Sequence, residues 1–322
     1  MEILRVENLV TQFKLTNPDR LLNAVDHVNF SINEGETLGL VGESGCGKTT
    51  TALSLMKLLP KNGSVASGKI DFMGKDIAQM SNEEIRKIRW KEISIIFQGA
   101  MNALNPVVSV GEQIKEAIVM HENIEDSAAK RRVKDLLERV EIDSKRVLQY
   151  PHEFSGGMRQ RVMIAMALAS NPRLVIGDEP TTALDVMVQS QIFELLERLR
   201  KEMNMAMILI THDLSVLGDL CDRAAVMYAG KIVEIGTVEE LYYNAKHPYT
   251  IKLMSSFPDI NKPPQLPNSI KGTPPRLTDM PKGCRFHPRC DQAMPICKDV
   301  EPLEIQLSAT HRFSCHLGVT TL

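Results

Sequence analysis

Residues 42–49 read Gly-Glu-Ser-Gly-Cys-Gly-Lys-Thr, a complete G-x-x-x-x-G-K-[ST] spacing. Gly42, Gly45 and Gly47 let the backbone bend until successive N–H groups point at phosphate oxygens. Lys48 can reach the β and γ phosphates, and the Thr49 hydroxyl can ligate magnesium. Ser44, Cys46 and Thr50 complete the loop and its exit. The motif has meaning only at a strand-to-helix turn, and its flanks predict one. The apolar run Thr37–Val41 precedes it, and Thr49–Leu59 reads as a helix whose N-terminus adds the positive end of its dipole. The spacing predicts a site for a nucleoside triphosphate with magnesium.

An acidic partner is expected at the end of another buried strand, and residues 174–179, Leu-Val-Ile-Gly-Asp-Glu, supply it. Asp178 would hold the magnesium shell, and Glu179 would polarise an attacking water. Ser155, in Phe-Ser-Gly-Gly-Met-Arg-Gln-Arg (154–161), stands 23 residues before Asp178. A serine followed by Gly156 and Gly157, ahead of the helical stretch Val162–Ala169, offers a second anion site made of exposed amides. Gln98 closes the apolar strand Ile93–Phe97, and His212 closes Met207–Thr211. Both therefore belong to the C-terminal edge of a parallel sheet, where open α/β folds bind ligands.

In this order the motifs resemble those of the ATP-binding subunits of ABC transporters. The succession runs through the phosphate loop 42–49, the Q-loop at Gln98, the signature 154–158, the Asp178-Glu179 strand, the D-loop Ala183-Leu184-Asp185 and the switch His212. Phe154 and Met158 depart from the commonest signature, Leu-Ser-Gly-Gly-Gln, but Ser155 and the glycine amides remain. The string 154–168 and the segment Gln98 to Leu104-Asn105-Pro106 are similar to the peptide-importer branch. The resemblance implies an α/β P-loop NTPase (RecA-like) core with an antiparallel β subdomain, a helical subdomain at about 99–157 and a small metal-containing C-terminal extension. It also implies an ATPase sandwich, with each ATP held between one subunit's phosphate loop and the other's Ser155 helix. In it Glu179 activates water, His212 contacts the γ-phosphate, Gln98 senses metal and water, and Asp185 couples the two sites at the interface. Phe13 fits the family's adenine-stacking position and equally fits a plain core position.

Composition sets the wider frame. The 322 residues are 43% hydrophobic, and no run of 18 apolar residues is present, so no segment reads as a membrane span. The opening Met-Glu-Ile-Leu-Arg-Val-Glu lacks a secretory pattern. The expected place is the cytoplasmic face of the membrane, as a peripheral subunit. A net charge of −2 argues against a general nucleic-acid binder. The first part reads as β-rich to about residue 40, and Ala128–Val140 reads as a helix with Val133, Leu136, Leu137 and Val140 on one face.

Charge and composition shift near residue 240. Residues 241–322 carry +4 against −6 for 1–240, with 11 of the 17 prolines and four of the six cysteines. The boundary is expected there, with an ATPase domain at 1–240 and an extension at 241–322. The extension opens on His247-Pro-Tyr-Thr250, similar to the motif that begins the peptide-importer extension, and carries Cys284, Cys290, Cys297 and Cys315. A segment with so little hydrophobic material is expected to need a staple, and disulfides are disfavoured in a reducing cytoplasm. Four thiolates suit zinc or an iron–sulfur cluster. No tight C-x₂₋₄-C knuckle occurs, and similar tails in peptide-importer ATPases are associated with [4Fe-4S] clusters; zinc is the alternative and free thiols a third reading. His287, His311 and His316 could replace a cysteine. Losing the metal is expected to unfold residues after about 280 first, while ATP binding by the isolated subunit survives because no nucleotide motif lies beyond His212.

The partners implied by resemblance are a paralogous ATPase subunit or a second copy of this chain, two transmembrane permease subunits and, indirectly, an external solute-binding protein. The cargo expected is dipeptides or oligopeptides. Nickel or another small solute is one alternative, and a soluble ABC ATPase acting on ribosomes or DNA is another. A third is an iron–sulfur redox sensor whose ATPase is secondary.

Overall fold

Strand β1 (Glu2–Lys14) buries Ile3, Leu4, Val6, Leu9 and Val10. The computed structural model describes residues 1–15, 20–99, 103–182, 184–255 and 270–319, and Ala183 of the expected D-loop lies outside them. The chain forms two compact units. A terminal unit combines Glu2–Ile32, Thr37–Ala78 and Ile210–Leu322, and a central unit combines Asn33–Glu36 and Gln79–Leu209 with Met1.

In the terminal unit, β1 pairs on one side with β2 (Leu21–Asn33). All five residues of β3 (Thr37–Val41) are buried, as a strand covered on both faces requires. Helix α1 (Lys48–Leu55) follows the phosphate loop. It ends four residues before the expected Leu59: Lys57 is left-handed (φ 47°), and Pro60 bars the residue before it from continuing a helix. β4 (Gly63–Phe72) pairs antiparallel with β1 and with β5 (Lys75–Asp76), completing the sheet order β2-β1-β4-β5.

The central unit begins with α2 (Asn82–Ile88), which Ser81 and Glu84 start with a reciprocal capping box. β6 (Ile93–Ile96) pairs in parallel with a later strand and stops one residue before the expected Phe97, which is exposed. Helices α3 (Val110–Val119) and α4 (Asp126–Arg139) pack together. Val133, Leu136 and Leu137 of α4 are buried, with Val140 just past its end, so the 3.6-residue period marks the inward face. α5 (Gly156–Ala167) leads to β7 (Leu174–Asp178), the parallel partner of β6, with Ile93 opposite Leu174 and Ile96 opposite Gly177. α6 (Val186–Met203) ends at a left-handed Asn204, and β8 (Ala206–Thr211), buried throughout, lies beside β7.

The chain then returns to the terminal unit through α7 (Ser215–Leu220). β9 (Arg223–Tyr228) pairs in parallel with β3 and antiparallel with β10 (Lys231–Thr237). Helices α8 (Val238–Tyr243) and α9 (Pro248–Ser255) follow. The far C-terminal residues form the hairpin β11 (Glu304–Gln306) and β12 (Arg312–Ser314), and β12 pairs with β10, placing Phe313 opposite Glu234. The strand order β11-β12-β10-β9-β3 therefore makes the tail an extension of the sheet that carries the phosphate loop.

This corrects the expectation of a tail without a core. Phe286 is 1% exposed and meets the fully buried Tyr228 and Tyr249, at centroid separations of 5.2 and 5.3 Å. Buried His311 bonds Glu234 at 2.8 Å, and Arg285 pairs with Asp26. The compositional shift near residue 240 is thus not a break in packing: residues 270–319 lie in the phosphate-loop unit.

Candidate nucleotide site

Between β3 and α1 the chain makes a tight turn that only small residues permit. A Cβ on Gly42 would lie 2.1 Å from the Met227 carbonyl oxygen, and one on Gly47 would lie 2.6 Å from that of Ala24; both have positive φ, at 148° and 111°. Lys48 is buried along the loop, its Nζ donating to the carbonyls of Gly42 at 2.7 Å and Glu43 at 3.1 Å. Gly47 caps α1 without a side-chain acceptor, and no acidic residue stands in the first turn. The first amides of α1 therefore keep their affinity for an anion. Ser44, Gly45 and Thr49 are exposed and Thr50 is half-buried, whereas Cys46 is buried and burial pushes its thiol pKa up. Phe13 is half-buried, its ring covering Gly63 on the paired strand. His212 is exposed just past β8.

Two residues of this loop's surroundings had no assigned role in the sequence. Tyr249 Oη accepts the Glu43 N–H at 3.0 Å, and Arg289 holds the Glu43 carboxylate at 2.5 and 2.9 Å. The motif His247-Pro-Tyr-Thr250 thereby acquires a structural reading. His247 caps α9, its Nδ1 accepting the Tyr249 N–H at 3.1 Å, Pro248 takes the first helical position, and Tyr249 reaches the loop. The loop and the tail are thus joined by hydrogen bonds.

In the central unit, β7 ends on Asp178, which is 2% exposed, and Glu179 turns out of the strand with φ 47°. A left-handed glutamate is uncommon and costs conformational energy, so the surroundings must hold it. Gln98 Nε2 donates to Glu179 Oε2 at 2.8 Å and Thr182 Oγ1 to the same oxygen at 3.2 Å. Thr182 was missed because a threonine four residues past a strand end leaves no periodic signal. Ser155 is the N-cap of α5, its Oγ accepting the Met158 N–H, and Asp185 caps α6 through Val188 N–H at 3.0 Å. A Cβ on Gly157 would come within 2.7 Å of Val188 Cγ1, so α5 starts close against the first turn of α6. Beside that start, Val186 and Met187 are 80% and 73% exposed.

The four tail cysteines share one neighbourhood. Burial raises the Cys284, Cys290 and Cys315 thiol pKa values, Cys315 to about 11, and the negative charge of the other three thiols adds to the rise at Cys315. The Cys284 N–H donates to the Cys297 carbonyl at 3.0 Å. Among the described residues, however, no three His, Cys, Asp or Glu side chains are gathered as a metal-holding group. The expected metal site is therefore met only as a cluster of thiols within electrostatic reach. His287, His311 and His316 direct ring nitrogens to Cys284 O, Glu234 and Val300 O respectively, rather than to the thiols.

The family description "ABC transporter" matches residues 25–182, and "Oligopeptide/dipeptide transporter, C-terminal region" matches 233–297. The chain is 49% identical over 313 residues to the oligopeptide transport ATP-binding protein OppD of Bacillus subtilis, covering 96% of this chain and 87% of that one. This chain belongs to the ABC transporter ATP-binding family. The OppD protein of Escherichia coli is 47% identical, covering 94% of this chain and 89% of the relative. The dipeptide transport ATP-binding protein DppD of Bacillus subtilis is 46% identical, covering 98% and 95%. Among solved structures, a dimeric ATP-binding cassette in a post-hydrolysis state with ADP and phosphate superposes with a TM-score of 0.65 at 26% identity, covering 73% of this chain and 99% of that one. The cbiO1 subunit of a Clostridium perfringens transporter complex gives 0.66 at 30%, covering 76% and 91%. This ABC ATPase thus has the P-loop NTPase fold and hydrolyses ATP in service of transport. Among its described residues no helix is long and apolar enough to cross a membrane.

Proposed function

We propose that this ATPase subunit powers import of dipeptides or oligopeptides through membrane permease subunits. The carrying observation is that similarity to OppD and DppD runs through the C-terminal region as well as the ATPase motifs. Residues 1–240 act as the ATPase domain, with its helical part at about 99–157 meeting the permeases, and 241–322 as the extension. Lys48, Thr49 and the amides of 42–50 bind MgATP, with Asp178 and Gln98 in the magnesium shell and Phe13 against adenine. Glu179 takes the proton of the attacking water and His212 meets the γ-phosphate. Ser155, Gly156, Gly157 and Asp185 face a second ATPase subunit, a paralogue in the cell, so that ATP closes the pair and moves the attached permeases at the cytoplasmic face of the membrane.

The thiols of Cys284, Cys290, Cys297 and Cys315 would hold a [4Fe-4S] cluster. Four thiols within electrostatic reach of one another, spaced without a tight C-x₂₋₄-C knuckle, support this reading. Such a cluster supplies cross-linking of the tail and electron storage.

Tagged subunit purified from membranes tests the transport reading. Two permeases and a paralogous ATPase should co-purify, and deletion should abolish dipeptide or oligopeptide uptake while sparing nickel uptake. Recovery with ribosomes and no membrane proteins, or loss of nickel uptake alone, would overturn it.

A further inference from the structure

Glu43 is the second residue of the phosphate loop, and its polar groups are gripped from several directions. Its N–H donates to Tyr249 Oη at 3.0 Å, and its carbonyl accepts from Lys48 Nζ at 3.1 Å and from the Cys46 N–H at 3.2 Å. Its two carboxylate oxygens accept separately from Arg289 Nη1 at 2.5 Å and Nη2 at 2.9 Å. That is the two-pronged arrangement in which arginine fixes orientation as well as charge. Two of these four partners, Tyr249 and Arg289, come from beyond residue 240.

Arg289 is itself built into place. Its side chain is 5% exposed, against 27% for Glu43. Its Nε donates to Lys271 O at 2.9 Å, Nη2 to Gly272 O at 3.2 Å and Nη1 to Tyr228 Oη at 3.3 Å, with the guanidinium carbon 5.8 Å from the Tyr228 ring centroid. A guanidinium so thoroughly engaged cannot follow Glu43 if the loop shifts, so the loop must conform to it.

We propose that Arg289 is a positioning residue for the phosphate loop: through Glu43 it holds the backbone that meets ATP. Lys48 reaches the same backbone through the Glu43 carbonyl, so displacement of Glu43 also displaces the lysine that contacts phosphate. Losing the grip lets the loop sample other shapes, and ATP must then select the competent one, which raises its apparent dissociation constant. The inference rests on residues 42–49 being the ATP site.

The test is MgATP affinity of the full-length chain, measured with a fluorescent ATP analogue and competing ATP, together with KM and kcat for hydrolysis. Arg289→Ala should weaken affinity about tenfold and raise KM by a similar factor, with a smaller change in kcat. Arg289→Lys should recover only part, because it keeps the charge and loses the fork. In a Glu43→Gln background, Arg289→Ala should add little further loss; a merely structural role would cost as much there as in the native chain. Native affinity in Arg289→Ala, or full additivity with Glu43→Gln, would overturn the proposal. Should Arg289→Ala not fold, Arg289→Lys and Glu43→Gln carry the same test, and unchanged ATP affinity in both overturns it. Lys48→Ala is the control: if it too left affinity unchanged, the reading of the ATP site would fall, not the role of Arg289 alone.

Discussion

Gln98 Nε2 stands 2.8 Å from Glu179 Oε2, and Thr182 Oγ1 donates to that same oxygen. Gln98, two residues past β6, and Glu179, the residue that follows β7, are joined by their side chains just beyond two strands paired in parallel. A carboxylate on left-handed backbone is thus held from two sides, which fixes where a water proton could be received.

Glu179→Gln should lower kcat by about 10²-fold or more while ATP binding survives, since the amide keeps the shape but cannot take a proton. Single-turnover hydrolysis and equilibrium ATP binding check this. Near-native turnover would remove Glu179 from the reaction.

Ser155→Arg should leave ATP binding by the isolated subunit unchanged and block ATP-driven dimerisation. Ser155 is exposed at the start of α5, so a long cation disturbs what approaches from outside. Size-exclusion chromatography with ATP and the Glu179→Gln background reads the result. A dimer formed as readily as without the arginine would contradict an interfacial signature.

Stability should fall as pH drops below about 6.5, partly through His247. Burial pushes its pKa from 6.5 down to about 3, and its Nδ1 must stay unprotonated to accept the Tyr249 N–H. The unfolded chain binds this proton near pH 6.5 and the folded chain only near 3, so the contribution is full above 6.5 and is lost as pH falls towards 3. The slope for this one group is at most about 1.4 kcal/mol per pH unit. His247→Asn, which keeps an acceptor oxygen, should flatten the difference between urea midpoints at pH 7 and pH 5. An unchanged slope would assign it to other groups.

Phe286→Ala should cost about 3–5 kcal/mol, the scale for deleting a fully buried aromatic. Phe286 is 1% exposed, edge-on to Tyr228, and its loss undercuts Tyr249 as well. Urea unfolding gives the magnitude, and limited proteolysis should show cleavage beyond residue 270 appearing first. Equal protease resistance would mean that the aromatic cluster does not hold the tail.

Anaerobically purified chain should be brown, absorb near 400 nm and contain about four iron atoms, each of Cys284, Cys290, Cys297 and Cys315 being needed. Colourless protein with one zinc would replace the cluster while keeping the four-thiol site. Metal-free protein with an equally resistant tail would sink both.

The phosphate loop was legible because a fixed spacing falls between an apolar run and a helix, and α4 because its apolar period matches the buried face. Glu179's backbone was not legible, since no residue type announces a left-handed glutamate that tertiary contacts impose. The Arg289–Glu43 pair joins positions 246 apart, and ion pairs at such a distance leave no local pattern. β11 and β12 are three residues each, too short to display alternation. The tail looked poor in core because one partner of Phe286, Tyr228, lies on β9 outside the proline-rich segment whose composition was read, and the other, Tyr249, lies 37 residues away at that segment's start on α9.

The closing hairpin has a colloidal consequence. β12 pairs with the middle of the seven-residue β10, at Glu234 and Ile235, and carries β11 outside it with Glu304 and Gln306 turned to solvent. A border so short and charged is a poor template for another chain, whereas an uncovered β10 would offer a longer row of bare amides and carbonyls. A chain cut before Glu304 should therefore clump through backbone-to-backbone adhesion, even with every phosphate contact still encoded.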